Sequence, residues 1–166
     1  MSGFSDTWLI VPCYNEGTVI FDVLTNARET FPNIVGVNDG SADDSAAQIR
    51  AAGAHLVDHP VNLGQGAAIQ TGVENARAQP GAKYFVTFDA DGQHSPTDAA
   101  AMVAAARDED LAVVLGSRFL EGPSPVGWLK RLVLRTAAAV SSHTSGMRLS
   151  DAHNGLRAFN RKVADE

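Results

Sequence analysis

Short apolar runs alternate along this chain with longer stretches of helical periodicity. Trp8-Leu9-Ile10-Val11 is uniformly apolar, as a strand buried on both faces should be, and Pro12 is expected to stop it. Over 18–30, Val19, Ile20, Val23, Leu24 and Ala27 recur at the 3.6-residue period and share one helical face. Ile34-Val35-Gly36-Val37 repeats the strand pattern and runs into Asn38-Asp39-Gly40-Ser41. A helix over 43–52 follows, with Asp43 or Asp44 as its cap and Gly53 closing it. Ala54-His55-Leu56-Val57 predicts a third strand, 65–78 a third helix and 83–88 a fourth strand. Ser95 and Pro96 suit the N-cap and first turn of a helix to Arg107, and Leu111 to Leu115 reads as a fifth strand. Strands alternating with helices of about 10–15 residues predict βαβ units: an α/β fold, with a mainly parallel sheet and helices on both faces. Neither a repeat nor a linker breaks the pattern, so 1–166 is expected to form a single domain.

Composition narrows the function classes. With 45% apolar and 19% charged residues the chain should fold as a globule. A net charge of −6 opposes broad binding to a nucleic-acid backbone. Cys13 is the one cysteine, which excludes an internal disulfide and a multi-cysteine metal knot and fits a reducing, cytoplasmic compartment. The first residues lack a basic start, and no apolar run reaches the roughly 18 residues of a membrane span.

The chemistry concentrates where the predicted strands end. In open α/β sheets ligands bind outside those carboxyl ends. Here they carry Tyr14-Asn15-Glu16, Asn38-Asp39-Gly40-Ser41, Asp89-Ala90-Asp91 and Ser117-Arg118. Asp89 and Asp91 stand at i and i+2 and share a side, so they repel unless protonated, well solvated or bridged by a cation. Mg²⁺ or Mn²⁺ suits such a pair, being a hard cation that shares oxygen ligands with a substrate phosphate; the plainer reading is an Asp-rich turn. Asp39 suits a hydrogen bond to a nucleobase or ribose, or an Asx-turn. Asn62-Leu63-Gly64-Gln65-Gly66 opens a helix and offers backbone amides to an anion, but lacks the Lys-Ser/Thr of a P-loop. Arg118 suits a phosphate or a neighbouring carboxylate. In 126–143, Trp128, Leu129, Leu132, Val133 and Ala137 oppose Lys130, Arg131 and Arg135, as on a membrane-surface helix or one packed on the sheet. The five histidines lack metal-ligand spacing as a set, and all but His94 and His153 are taken as structural or solvated.

Pro12-Cys13-Tyr14-Asn15-Glu16, Val37-Asn38-Asp39-Gly40-Ser41, Asn62-Leu63-Gly64-Gln65-Gly66, Asp89-Ala90-Asp91-Gly92-Gln93, Gly116-Ser117-Arg118-Phe119 and Asp151-Ala152-His153-Asn154-Gly155-Leu156-Arg157 occur in this order. Together they resemble the inverting family 2 glycosyltransferases, especially the dolichol-phosphate mannosyltransferase and polyprenyl-phosphate glycosyltransferase branch. The resemblance spans Leu9 to about Arg161 and implies a Rossmann-like nucleotide-diphosphosugar transferase (GT-A type) fold. It implies that Pro12, Tyr14, Glu16, Val37 and Asp39 line a nucleoside pocket, and that Asp89 and Ala90 lie against donor ribose and diphosphate. Asp91 would ligate a divalent metal with Gln93 and Asp89, and Arg118 and Arg131 would face phosphate. The implied partners are a nucleotide-sugar donor and a lipid-phosphate acceptor at the inner face of a membrane. A saccharide hydroxyl acceptor would instead need a base, and Asp151 is the first candidate. Two features depart from the branch: the sequence ends at Glu166, as a C-terminally truncated domain would, and Asn154 replaces a small Ser, Thr or Cys. A nucleotide-sugar-binding domain without turnover is the non-enzymatic alternative. A sugar nucleotidyltransferase is disfavoured, because its N-terminal Gly-rich, Arg- and Lys-bearing signature is absent.

Overall fold

The computed structural model describes residues 3–116 and 155–166. The expectations for Arg118, Arg131, the rest of 126–143 and Asp151 to Asn154 lie outside the described residues. In chain order the elements are β1 (Thr7–Cys13), α1 (Ile20–Arg28), β2 (Asn33–Asp39), α2 (Ser45–Ala51), β3 (His55–His59), α3 (Gln65–Arg77) and β4 (Tyr84–Thr87). They continue with α4 (Pro96–Asp108), β5 (Val113–Leu115), β6 (Arg157–Asn160) and the short α5 (Arg161–Ala164).

The six strands among the described residues form one sheet in the order β3-β2-β1-β4-β6-β5. β3, β2, β1 and β4 are mutually parallel, while β6 runs antiparallel between β4 and β5. The α/β fold with a mainly parallel sheet is therefore as expected, and β6 is an addition to it.

Pro12 does not stop β1, which continues to Cys13. The pairing of β1 with β4 ends at Ile10↔Thr87, and the Ile10 carbonyl accepts the Phe88 N–H just beyond it. By alternation the Pro12 nitrogen faces that same side, past the last rung, where no N–H is required.

Both faces of β1 are buried, which is why its sequence is apolar throughout. Leu9, Val11 and Cys13 join a core with Ile20 and Leu24 of α1, Ile49 of α2 and Val103 of α4. Trp8 and Ile10 turn the other way, toward Val35, Val37, Phe85 and Ala68 and Ala76 of α3. Burying each such aliphatic side chain is worth about 1.5–3 kcal/mol. Gly72 lets α3 approach closely: a Cβ there would stand 2.5 Å from the Ile10 Cγ2. α4 starts as predicted, with the Ser95 hydroxyl accepting the Thr97 N–H and Pro96 in the first turn. At α2, Asp44 occupies the cap position without making the capping bond, whereas Asp43 accepts the Ser45 N–H at 3.0 Å.

Candidate active site

From β1 the chain builds outward to β2 and β3, then returns through α3 to β4 on the opposite side of β1. The crevice at such a reversal is the usual ligand site of an open α/β sheet. A cleft of about 480 Å³ opens there, lined by the ends of β1, β2 and β4 and the start of α3.

One wall belongs to β1, β2 and the turn before α3. Asp39, 2% exposed, is hydrogen-bonded on both carboxylate oxygens. Oδ1 meets His59 Nδ1 at 2.7 Å and the Leu63 N–H at 2.9 Å, and Oδ2 accepts the Gly64 N–H at 2.8 Å. Burial alone would raise its pKa, but the bonds from His59, Leu63 and Gly64 outweigh it and hold the carboxyl below its ordinary 3.8. Asp39 thus anchors a loop of the following unit rather than an Asx-turn of its own. Gly40 beside it has φ +68°, and a Cβ there would stand 2.4 Å from the Val61 backbone.

The β1 and β2 loops are joined by four further hydrogen bonds. The Asn15 N–H donates to the Ser41 hydroxyl, and the Asn15 side chain accepts the Ala42 N–H, both at 2.9 Å. The Glu16 N–H donates to Ser45 Oγ at 3.0 Å and the Gly17 N–H to Asp43 at 2.9 Å. The Ser45 hydroxyl, with the Gly17 and Ser45 amides, holds the Asp43 carboxyl below its usual range. Tyr14 is half exposed at the rim. Val37 is fully buried and packs toward α3, so its side chain is not among the cleft-lining residues.

The opposite wall is the loop after β4. Asp89 Oδ2 pairs with His94 Nε2 at 2.8 Å, and Oδ1 accepts from the Gln65 side chain at 3.2 Å. The His94 ring is itself fixed edge-on against Phe88, 5.6 Å between centroids. Gly155, from the last sequence motif, lies directly on this carboxylate: a Cβ there would stand 2.1–2.4 Å from its Oδ1, Oδ2 and Cγ atoms. Asp91 is exposed, and its Oδ1 accepts the Gln93 N–H at 3.0 Å. Cys13, whose thiol burial pushes above its ordinary 9.0, lines the floor.

The structure brings Pro12, Tyr14, Glu16, Asp39, Asp89, Ala90, Asp91 and Gln93 to one cleft. Asn62, Gly64 and Gln65 of the glycine-rich turn and His94 join them, and Cys13 and Ala68 complete the lining. Four lining residues are carboxylates (Glu16, Asp39, Asp89, Asp91), and none of the described lining residues is Lys or Arg. Among the described residues no three His, Cys, Asp or Glu groups are gathered as a ready-made metal cage. Mg²⁺ does not require one, since it is commonly held by one or two carboxylates together with substrate phosphates. The exposed Asp91 carboxylate fits that use, and the better-tied Asp89 borders it.

Residues 8–166 match the model of glycosyl transferase family 2. An uncharacterised protein of Methanocaldococcus jannaschii is 32% identical over 96% of the chain and 66% of its own length. The UDP-N-acetylglucosamine–dolichyl-phosphate N-acetylglucosaminyltransferase of Methanococcus voltae is 29% identical, over 94% of the chain and 70% of the relative. The chain thus spans about two thirds of the length of these relatives. Among solved structures, glucosyl-3-phosphoglycerate synthase from Mycobacterium tuberculosis, in complex with Mn²⁺, UDP-glucose and phosphoglyceric acid, superposes with a TM-score of 0.65. That match, 22% identical, covers 95% of this chain and 57% of the other, and it establishes a shared GT-A type fold. With four of those sequence motifs lining one cleft of that fold, the chain belongs to glycosyl transferase family 2.

Proposed function

We propose that the chain is the catalytic part of a metal-dependent, inverting glycosyltransferase that moves a sugar from a nucleoside diphosphate to a polyprenyl phosphate. The observation that carries this reading is the charge of the cleft: four carboxylates and, among the described lining residues, no Lys or Arg. A diphosphate entering such a site would be repelled unless a cation came with it. Asp91 would hold that cation, with Asp89 and Gln93 beside it, and the cation would offset the charge of the departing nucleoside diphosphate. The Mn²⁺ and UDP-glucose bound by the solved neighbour support this by analogy of fold.

Pro12, Tyr14, Glu16 and Asp39 form the nucleoside side of the cleft, with Val37 supporting them from the core. Asp39 keeps acceptor capacity on Oδ2, because a carboxylate oxygen can take two hydrogen bonds. Asp89 and Ala90 stand toward ribose and diphosphate, and Arg118 and Arg131 are assigned to phosphate. In the reaction an acceptor oxygen attacks the anomeric carbon opposite the leaving group. The new C–O bond forms as the bond to the diphosphate breaks, and the diphosphate departs with the electron pair. A phosphate monoester is ionised at neutral pH and attacks without a strong base. The lipid acceptor is supported by the Methanococcus voltae relative, whose name gives dolichyl phosphate as its substrate. Among the described residues no helix is long and apolar enough to cross a membrane.

The test is to incubate the chain with Mn²⁺, labelled UDP- or GDP-sugars and either polyprenyl phosphate or simple saccharides. Label on the lipid phosphate is the expected result. Label on saccharide hydroxyls alone would reject the lipid acceptor and make Asp151 the base to examine. Nucleotide binding without transfer to any acceptor would favour a binding domain.

A further inference from the structure

His59 closes β3, and the β2–β3 register places it directly opposite Asp39. Its side chain is 9% exposed and that of Asp39 is 3% exposed. Besides the 2.7 Å contact of Nδ1 with Asp39, its Nε2 lies 3.0 Å from the hydroxyl of Thr71 in α3. The ring is thus held at both nitrogens, between the end of β2 and the second turn of α3. An ionised carboxylate only accepts hydrogen bonds, so the proton must be on Nδ1. In the neutral ring Nε2 is then the acceptor, and the Thr71 hydroxyl donates to it. This leaves Asp39 one orientation, in which its two oxygens receive the Leu63 and Gly64 amides. Those amides form the turn whose next residue, Gln65, starts α3 and reaches Asp89 on the opposite wall.

We propose that His59 is a positioning residue of the donor site: it does not line the cleft, but through Asp39 it fixes the Leu63–Gly64 turn against which the nucleoside diphosphate binds. This rests on reading the cleft as the donor site. The geometry separates His59 from ordinary core filling, because only the Nδ1 donor matters to Asp39. Asn places its amide nitrogen where the His Nδ1 stands, whereas the longer Gln reaches the Nε2 position. An isosteric pair of substitutions therefore divides the two contacts.

The experiment compares the wild-type chain with His59→Ala, His59→Asn and His59→Gln. Calorimetry with UDP and GDP in the presence of Mn²⁺ reads affinity, and amide hydrogen exchange by NMR reads Leu63 and Gly64. His59→Ala and His59→Gln should weaken nucleoside diphosphate binding about tenfold, the effect of losing one charge-assisted hydrogen bond, and speed exchange at both amides. His59→Asn should stay within about threefold of wild type on both readouts. Equal behaviour of the Asn and Gln variants, or wild-type affinity in the Ala variant, would overturn the proposal. Nitrogen-15 spectra of the wild-type ring give a test independent of any variant folding: a proton on Nδ1 is required, and the Nε2–H tautomer would refute it. If the wild type binds neither UDP nor GDP, the donor-site reading fails. Slow exchange at Leu63 and Gly64 that is lost in His59→Gln would then still show that His59 holds the turn.

Discussion

The two walls of the cleft solve the problem of polar groups at strand ends in opposite ways. On the β1–β2 side the Asp39 and Asp43 carboxylates and the loop amides are engaged within the protein. Asp39 takes three hydrogen bonds, and the Asn15, Glu16 and Gly17 amides are met by Ser41, Ser45 and Asp43. On the β4 side Asp89 is held by His94 and Gln65, but Asp91 stands exposed in a turn of its own loop. A wall whose donors and acceptors are already fixed can recognise a rigid, neutral moiety at little cost in ordering. A wall that leaves a carboxylate exposed beside another is suited to a cation and whatever anion that cation carries. On the proposed reading the nucleoside lies against one wall and a metal-bound diphosphate against the other, and substitutions on each wall should fail in different ways.

The largest effect should come from the exposed wall. Asp91→Asn should lower the initial rate of sugar transfer by about 100-fold or more, a barrier increase of about 2.7 kcal/mol. Its thermal midpoint should stay at or slightly above that of wild type, because one charge of an acidic cluster is removed. Unchanged transfer in that variant would erase the distinction between the walls. On the engaged wall the effect should be on folding. Asp39→Asn should cost about 1.5–3 kcal/mol in denaturant unfolding at neutral pH. The folded pKa of Asp39 lies below its ordinary 3.8, so the carboxylate's contribution is complete above that pH and disappears as pH falls through the folded value. The stability gap between wild type and Asp39→Asn should narrow as pH falls below about 3.8. A gap that does not narrow below that pH would contradict the hydrogen-bonded carboxylate.

Gly155→Ala sharpens the comparison from beneath the β4 loop. Its Cβ would fall on the Asp89 carboxylate, so either Asp89 leaves His94 or the backbone shifts, at a cost of about 1–3 kcal/mol. The signature is a lowered thermal midpoint together with a changed His94 ring signal. The smallest effect should be Ser45→Ala, which removes the acceptor of the Glu16 N–H and a partner of Asp43. About 0.5–1.5 kcal/mol of stability should be lost, with nucleotide affinity nearly intact, as calorimetry would show.

The fold was legible in the sequence wherever neighbours in the chain decide it. The apolar run at Trp8 to Val11 had to be a doubly buried strand, and Ser95-Pro96 had to start a helix. What escaped depended on partners far along the chain. Pro12 looks like a strand terminator until β4 is seen to end before it. Arg157–Asn160 shows no alternation of its own and becomes β6 only by entering between β4 and β5. The site divides the same way. The acidic residues and the glycine-rich turn announced a cleft, and the structure gathered them. The use of Asp39 to hold Leu63 and Gly64, and the pairing with His59, follow from a β2–β3 register that no local motif records. The one available signal was an acid two residues past one predicted strand and a histidine two residues past the next.

The proposed cation requirement of the exposed wall is tested most directly by titrating the chain with UDP and with GDP in a calorimeter, once with Mn²⁺ and once with chelator. At least one nucleotide should bind with micromolar affinity in Mn²⁺ and weaken 100-fold or more in chelator, a difference of about 2.7 kcal/mol. Equal affinity with and without the metal would show that the four carboxylates of the cleft tolerate a bare diphosphate, and would contradict the division of the site into a nucleoside wall and a metal wall.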